Sequence, residues 1–230
     1  MKGELNRIIS NFLAKSKNTP PILILLGPTA SGKTALSLDI AEKFGCEIIS
    51  ADSRQVYKYM DIGTDKIPEN KRRDIPHHLL DMVLPDERFT VADFKRDAER
   101  LIDDIHLRKK LPLIVGGTGL YIRALVENFS LPPDDPKLKK KLLEDSKRLG
   151  AHEMHRRLKK VDPDSAEKIH PNNEPYILRA LEVYYATGKP KSAQRNKPKY
   201  DVLMIGLMPE REMLFDNIAN TQSKTPSEIP

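Results

Sequence analysis

The 230-residue chain has no tryptophan, a single cysteine and only 6% aromatic residues. The lone Cys46 excludes an internal disulfide framework and any Cys-x-x-Cys metal site, and reads as a small buried hydrophobe rather than a reactive thiol. So few aromatics leave no interleaved stacking surface for single-stranded nucleic acid. No apolar run approaches the roughly 20 residues that span a bilayer. The stretch from Met1 to Asn18 lacks the apolar core of a signal peptide, so no membrane association is expected and the expected address is cytoplasmic. Internal repeats are absent.

Positive charge is plentiful and unevenly placed. Lys and Arg number 39 against 33 Asp and Glu, a formal charge of +6. Residues 137–160 hold 10 basic and three acidic side chains, and residues 188–199 hold five basic and no acidic ones. Those windows carry +7 and +5, which leaves −6 on the remainder. Such asymmetry fits a polyanion-binding face attached to an ordinary enzyme core, and equally the solvated faces of helices.

Pro21 to Leu26 is a continuous apolar run, as in a strand buried on both faces of a parallel sheet. Helical spacing follows from Thr34 to Phe44 and stops at Gly45, then a second strand runs from Cys46 to Ile49. Strand, helix, strand implies a crossover and an α/β domain. Thr90 with Asp93 forms a capping pair for a helix to about Lys109, and Pro112 to Val115 reads as another buried strand ended by Gly116 and Gly117. Leu131 to Pro136 breaks the periodicity, and a basic, helix-rich segment runs from there to Gly188-Lys189-Pro190. Asp201 to Leu207 reads as a strand returning to the sheet. The expectation is an α/β, three-layer P-loop core with a parallel sheet (1–130, with 199–215 returning), a basic helical insertion subdomain (131–198) and a frayed tail (216–230).

Gly27-Pro28-Thr29-Ala30-Ser31-Gly32-Lys33-Thr34 matches G-x-x-x-x-G-K-[ST] and sits where that motif must sit, after a buried strand and opening a helix. Glycines let successive backbone N–H groups turn inward around phosphate oxygens, and the helix amino end adds its dipole. Lys33 then neutralises terminal phosphates and the Thr34 hydroxyl is placed for Mg²⁺. A di- or triphosphate is the expected ligand. Asp52, within Ser50 to Tyr57, stands at the end of a strand expected to neighbour the P-loop strand, at the ligand edge of the sheet. It could hold metal-bound water, act as a general base, or cap the next helix.

The P-loop, Ala51 to Val56 with Tyr57, Met60 to Thr64, Pro76 to Asp81, Phe89 to Phe94, Val115 to Tyr121, Ile169 to Asn173 and Arg179 to Val183 together resemble the tRNA dimethylallyltransferase (tRNA isopentenyltransferase) family, in order and spacing from about Pro21 to about Phe215. The resemblance implies transfer of a dimethylallyl group from dimethylallyl diphosphate to N6 of the adenosine just 3′ of the anticodon, with Mg²⁺. It implies that the P-loop, readily labelled nucleotide- or ATP-binding, holds the diphosphate leaving group, with Thr29 reaching towards the bridging oxygen. Asp52 corresponds to the catalytic aspartate that accepts a proton from the adenine amine. Asp52, Ser53, Arg54 and Gln55, then Thr118, and the stretch Pro175, Tyr176, Ile177, Leu178 and Arg179 correspond to tRNA contacts, with Arg179 foremost. Thr118 is equally an ordinary cap for a helix from Gly119 to Glu127. The basic insertion then grips the anticodon stem-loop, and the working unit is expected to be a monomer.

Other features carry plainer readings. His77-His78 and the pair His152 and His155 lack further ligands at metal spacing, and the latter pair reads as a solvated helix face. His170 reads as part of a structural turn, and Tyr184-Tyr185 as packing. Asn173 stands where the family commonly has aspartate. The resemblance ends after Phe215, and the family's later helices, which carry a catalytic arginine, have no counterpart in Asp216 to Pro230, so a truncated or trimmed chain is expected. The alternatives are a non-catalytic tRNA-binding remnant, an adenylate isopentenyltransferase and a small-molecule P-loop kinase; the basic insertion speaks against the last two.

Overall fold

The computed structural model describes residues 2–16, 19–128, 135–193, 196–210, 212–215 and 219. In chain order the elements are α1 (Lys2–Lys15), β1 (Pro21–Leu26), α2 (Lys33–Phe44), β2 (Cys46–Ser50), β3 (His77–His78), α3 (Val91–Leu107), β4 (Leu111–Gly116), α4 (Gly119–Val126), α5 (Pro136–Leu149), α6 (Ala151–Val161), α7 (Pro163–Lys168), α8 (Glu174–Thr187) and β5 (Asp201–Gly206). They fall into two compact units, 1–126 with 198–230, and 127–197. Most of the expected break at Leu131–Pro136, and the expected tail apart from residue 219, lie outside the described residues.

The first unit is a three-layer α/β core. Its five strands are all parallel in the order β3-β2-β4-β1-β5. Alternation along β1 explains its unbroken apolar run: Ile22 and Ile24 face α3 and α4, while Leu23 and Leu25 face α1 and α2. The expected elements form where their local signals stand. Thr90 and Asp93 make a reciprocal capping box at the start of α3, with Asp93 N donating to Thr90 Oγ1 at 3.2 Å and Thr90 N to Asp93 Oδ2 at 3.0 Å. Gly45 ends α2 in the left-handed region at φ 64°.

One expectation is corrected. β2 does not neighbour β1; β4 lies between them, pairing Ile49 with Ile114 on one side and Leu25 with Val115 on the other. The apolar runs could not decide this, because β1, β2 and β4 are all buried on both faces and each suits an inner position equally. Two elements carried no usable sequence signal. In α1 the fully buried Ile9, with Leu5, Phe12 and Leu13, covers the same sheet face as α2. β3 is two residues long, too short for any periodicity, and pairs His77 and His78 with Ile48 and Ile49.

His78 belongs to a charged cluster on β2 rather than to a metal site. The nearly buried Glu47 carboxylate receives Arg108 Nε at 3.1 Å and Nη2 at 2.7 Å, and lies 2.8 Å from His78 Nε2. Arg108, and after it His78, hold the Glu47 carboxyl below its ordinary 4.5 in spite of burial. A depressed carboxyl stabilises the fold above its unfolded value and loses that contribution as pH falls through the folded one. At neutral pH, Glu47→Gln is therefore expected to cost about 2 kcal/mol. The cost should fade below about pH 4, as thermal melts of both forms across pH 3–7 would show.

The second unit packs α5, α6, α7 and α8 around Leu142, Met154, Leu158, Ile177 and Leu181. Asp135 caps α5 by accepting from Lys137 N and Leu138 N, each at 3.0 Å. Fully buried Asp162 accepts from Ser165 N at 3.1 Å, Ser192 N at 3.1 Å and Ser192 Oγ at 2.6 Å; these bonds hold its carboxyl below the usual value against the opposing pull of burial. His155 is not on a solvated face. Its Nε2 lies 2.9 Å from both Ala166 O and Ile169 O, where it ties α6 to the carboxyl end of α7. His170 accepts from Asn172 N at 3.2 Å, within the turn expected of it. Of the ten basic residues in 137–160, all but Arg157 are exposed. Among them Arg148 and Arg156 pair with Asp145 and Glu153.

Candidate active site at the carboxyl edge of the sheet

β1 and β4 are adjacent, yet β1 leads into α2 on one face of the sheet and β4 into α4 on the other. Diverging connections open a crevice at the carboxyl ends of such strands, which is where ligands bind in doubly wound sheets. The P-loop forms one wall. Ala30 at φ 62° and Gly32 at φ 84° turn the backbone inward, and no side chain caps the start of α2. Lys33 folds back over the loop and donates to Gly27 O at 2.9 Å and Pro28 O at 2.6 Å. Burial lowers its pKa, while the charges of Asp52 and Asp65 act to raise it. Thr29 and Thr34 are exposed, and the Ser31 hydroxyl is buried without a hydrogen-bond partner.

The other wall comes from the ends of β2 and β4. Ala51 N donates to Val115 O at 2.8 Å, Thr118 N to Ala51 O at 3.3 Å and Ser53 N to Thr118 Oγ1 at 3.0 Å. The Thr118 side chain thus holds the turn after β2 while its carbonyl receives Tyr121 N of α4. Asp52, half-buried, uses Oδ1 to accept from Arg54 N at 2.8 Å and Gln55 N at 3.4 Å, so it does cap its own turn. Behind it, Tyr121 stacks on Phe94 with centroids 4.2 Å apart, and burial, aided by Tyr57 and Asp52, pushes its phenol up to about 12. Two glycines make the walls fit. A Cβ on Gly116 would stand 2.3 Å from Ala51 O, and one on Gly117 would stand 3.2 Å from Gly27 O.

Gly27 to Thr34, Asp52 to Gln55 and Thr118 are thereby gathered at one edge, with Arg54 exposed. Gln55 turns inward: its Nε2 donates to Thr64 O at 3.0 Å and its Oε1 accepts from Ser50 Oγ at 3.2 Å. Pro175 to Arg179 open α8 in the second unit. Pro175 and Tyr176 are exposed, Leu178 is half-buried, and Arg179 donates to the buried Glu182 at 2.8 Å. Ile177 is fully buried in that unit's core, which makes it a packing residue and corrects its reading as a contact. Asp65 and Lys66 went unread in the sequence, because a charge in a loop without periodicity marks nothing by itself. Among the described residues no three His, Cys, Asp or Glu side chains cluster for a metal ion, and no helix is long and apolar enough to cross a membrane. The hard oxygen donors at hand, the Thr34 hydroxyl and the Asp52 carboxylate, suit Mg²⁺ rather than a softer ion.

The family model described as IPP transferase matches residues 55–224. The tRNA dimethylallyltransferase of Desulfotalea psychrophila is 48% identical over 204 residues, which cover 86% of this chain and 65% of that protein. The chain thus spans about two thirds of the length of that curated relative. A solved tRNA isopentenylpyrophosphate transferase from Staphylococcus epidermidis is similar at 42% identity and a TM-score of 0.56, covering 88% of this chain and 68% of the other. A eukaryotic dimethylallyltransferase, solved in snapshots acting on tRNA, is similar at 35% identity and a TM-score of 0.75, covering 89% and 53%.

Proposed function

The chain belongs to the IPP transferase family, and from that premise we propose that it moves a dimethylallyl group from dimethylallyl diphosphate to N6 of the adenosine 3′-adjacent to the anticodon of tRNA. The observation that carries this reading is the placement of the P-loop at the end of β1 and of Asp52 just past the end of β2, on either side of β4 at the same edge of the parallel sheet. In the reaction the allylic C–O bond breaks and its electron pair leaves with the diphosphate. The loop amides and Lys33 stabilise that charge where it develops, and Thr29 reaches the bridging oxygen. N6 forms the new C–N bond and gives its proton to Asp52. Asp52 keeps an oxygen for this role, since its turn occupies only Oδ1.

The Thr34 hydroxyl would hold a bound Mg²⁺, which would add neutralising charge for the diphosphate. The adenine must leave the anticodon-loop stack to reach the crevice. Ser53, Arg54 and Thr118 then meet the extruded nucleotide, and Gln55 supports them from beneath. The exposed lysines and arginines of α5 and α6 bind the anticodon stem by shape and charge, so tRNA affinity should fall with added salt. The enzyme works as a single chain in the cytoplasm.

The test is transfer of label from dimethylallyl diphosphate onto unmodified tRNA with Mg²⁺. Label on the adenosine beside the anticodon is the expected result. Label on free adenylate, or none on tRNA, would overturn this reading.

A further inference from the structure

The buried ammonium of Lys66 makes an arrangement that neither the P-loop nor Asp52 requires. Only 3% of the Lys66 side chain is exposed, and Nζ donates to Tyr57 O at 3.0 Å, Asp61 Oδ1 at 2.6 Å and Asp81 Oδ1 at 2.6 Å. A lysine has three N–H donors, so all are used. Two connections run from this knot to the turn that holds Asp52. Asp81 N donates to Gln55 O at 3.2 Å, and Met82 N to Val56 O at 2.7 Å. Just before Lys66, the Thr64 and Asp65 carbonyls receive Gln55 Nε2 at 3.0 and 3.5 Å. Gln55 N then reaches Asp52 Oδ1 at 3.4 Å.

Stability alone does not call for this arrangement. The partner carboxylates are 65% and 41% exposed, so water would serve them without a cation. Burying an ammonium is costly, and an apolar side chain of similar volume often stabilises as well. What the ammonium adds is direction: it fastens three loop segments at fixed distances around Gln55.

We infer that Lys66 is a positioning residue for the transfer reaction, holding Gln55 and through it the Asp52 turn in register with the P-loop. The inference rests on the proposed transfer for its catalytic consequence, but not for its structural one. It also gives Asp65, whose charge reaches Lys33, a fixed place beside the loop.

Lys66→Met keeps the volume and removes the donors; Lys66→Arg keeps a cation able to pair with both carboxylates. In the 230-residue chain, amide hydrogen exchange at Arg54 and Gln55 should speed up in Lys66→Met while β1 and α2 keep their protection. The same variant should lose about tenfold or more in kcat with a much smaller change in KM for tRNA, since misplacing a reacting group by about 1 Å is that costly while the stem is gripped by α5 and α6. Lys66→Arg should restore most of both. Unchanged exchange at Arg54 and Gln55, or a loss in Lys66→Met that spreads evenly over the whole sheet, overturns the inference. If Lys66→Met fails to fold, Asp81→Asn, which weakens only one arm of the knot, answers the same question by the same two readouts. A wild-type chain that transfers no label sinks the transfer reading alone, and hydrogen exchange still decides the role of Lys66.

Discussion

Asp52→Ala is expected to lower the proposed dimethylallyl transfer by about a hundredfold or more while leaving tRNA retention on a filter nearly intact. The adenine amine is a poor nucleophile until its proton has somewhere to go, and on this edge of the sheet Asp52 is the carboxylate at the end of a strand, with Thr118 and Ser53 fixing its turn. Asp52→Asn separates the two jobs of the side chain. It keeps an oxygen for Arg54 N and Gln55 N and loses the basicity, so it should fail in transfer as fully as Asp52→Ala and melt closer to wild type. Should tRNA binding fall in parallel with transfer in both variants, Asp52 is a contact rather than a base.

Gly116→Ala is expected to cost about 3 kcal/mol of stability and, in whatever fraction folds, most of the transfer activity. The added methyl would stand 2.3 Å from Ala51 O, 2.5 Å from Ala51 C and 2.9 Å from Ala51 Cα. All three are backbone atoms, so no rotamer change relieves the overlap. β2 and β4 must separate at the point where Ala51 leads into Asp52. A melt and a transfer assay at low temperature check both halves. Gly119→Ala, where a new Cβ meets nothing within 4 Å, is the matched control and should stay close to wild type. A wild-type melting curve for Gly116→Ala would show that the close approach does not bear on the site.

Local signals were legible where the physics is local. The apolar run of β1, the glycine-rich turn and the opening of α2 are contiguous, so the loop wall of the crevice could be read from eight consecutive residues. Thr90 and Asp93 were readable because a capping box is satisfied within four positions. The order of strands was not, because nothing within β2 says which strand will lie beside it. Gln55 shows the limit for side chains. By the family resemblance it corresponds to a tRNA contact, and in the structure its amide bonds Thr64 and Ser50, partners nine and five positions away.

The sequence by itself therefore determined the α/β class, the P-loop motif and the charge of the helical segment, since each rests on neighbours along the chain or on composition, whereas the base role of Asp52 came from the family resemblance. Only the tertiary structure decided that β4 stands between the P-loop strand and the strand bearing Asp52, that Gly116 must lack a side chain, and that Lys66 fastens the loops around Gln55. Those facts follow from which surfaces must be buried and which donors must be satisfied once separate segments meet, as where Gly116 meets Ala51 and Lys66 meets Asp81.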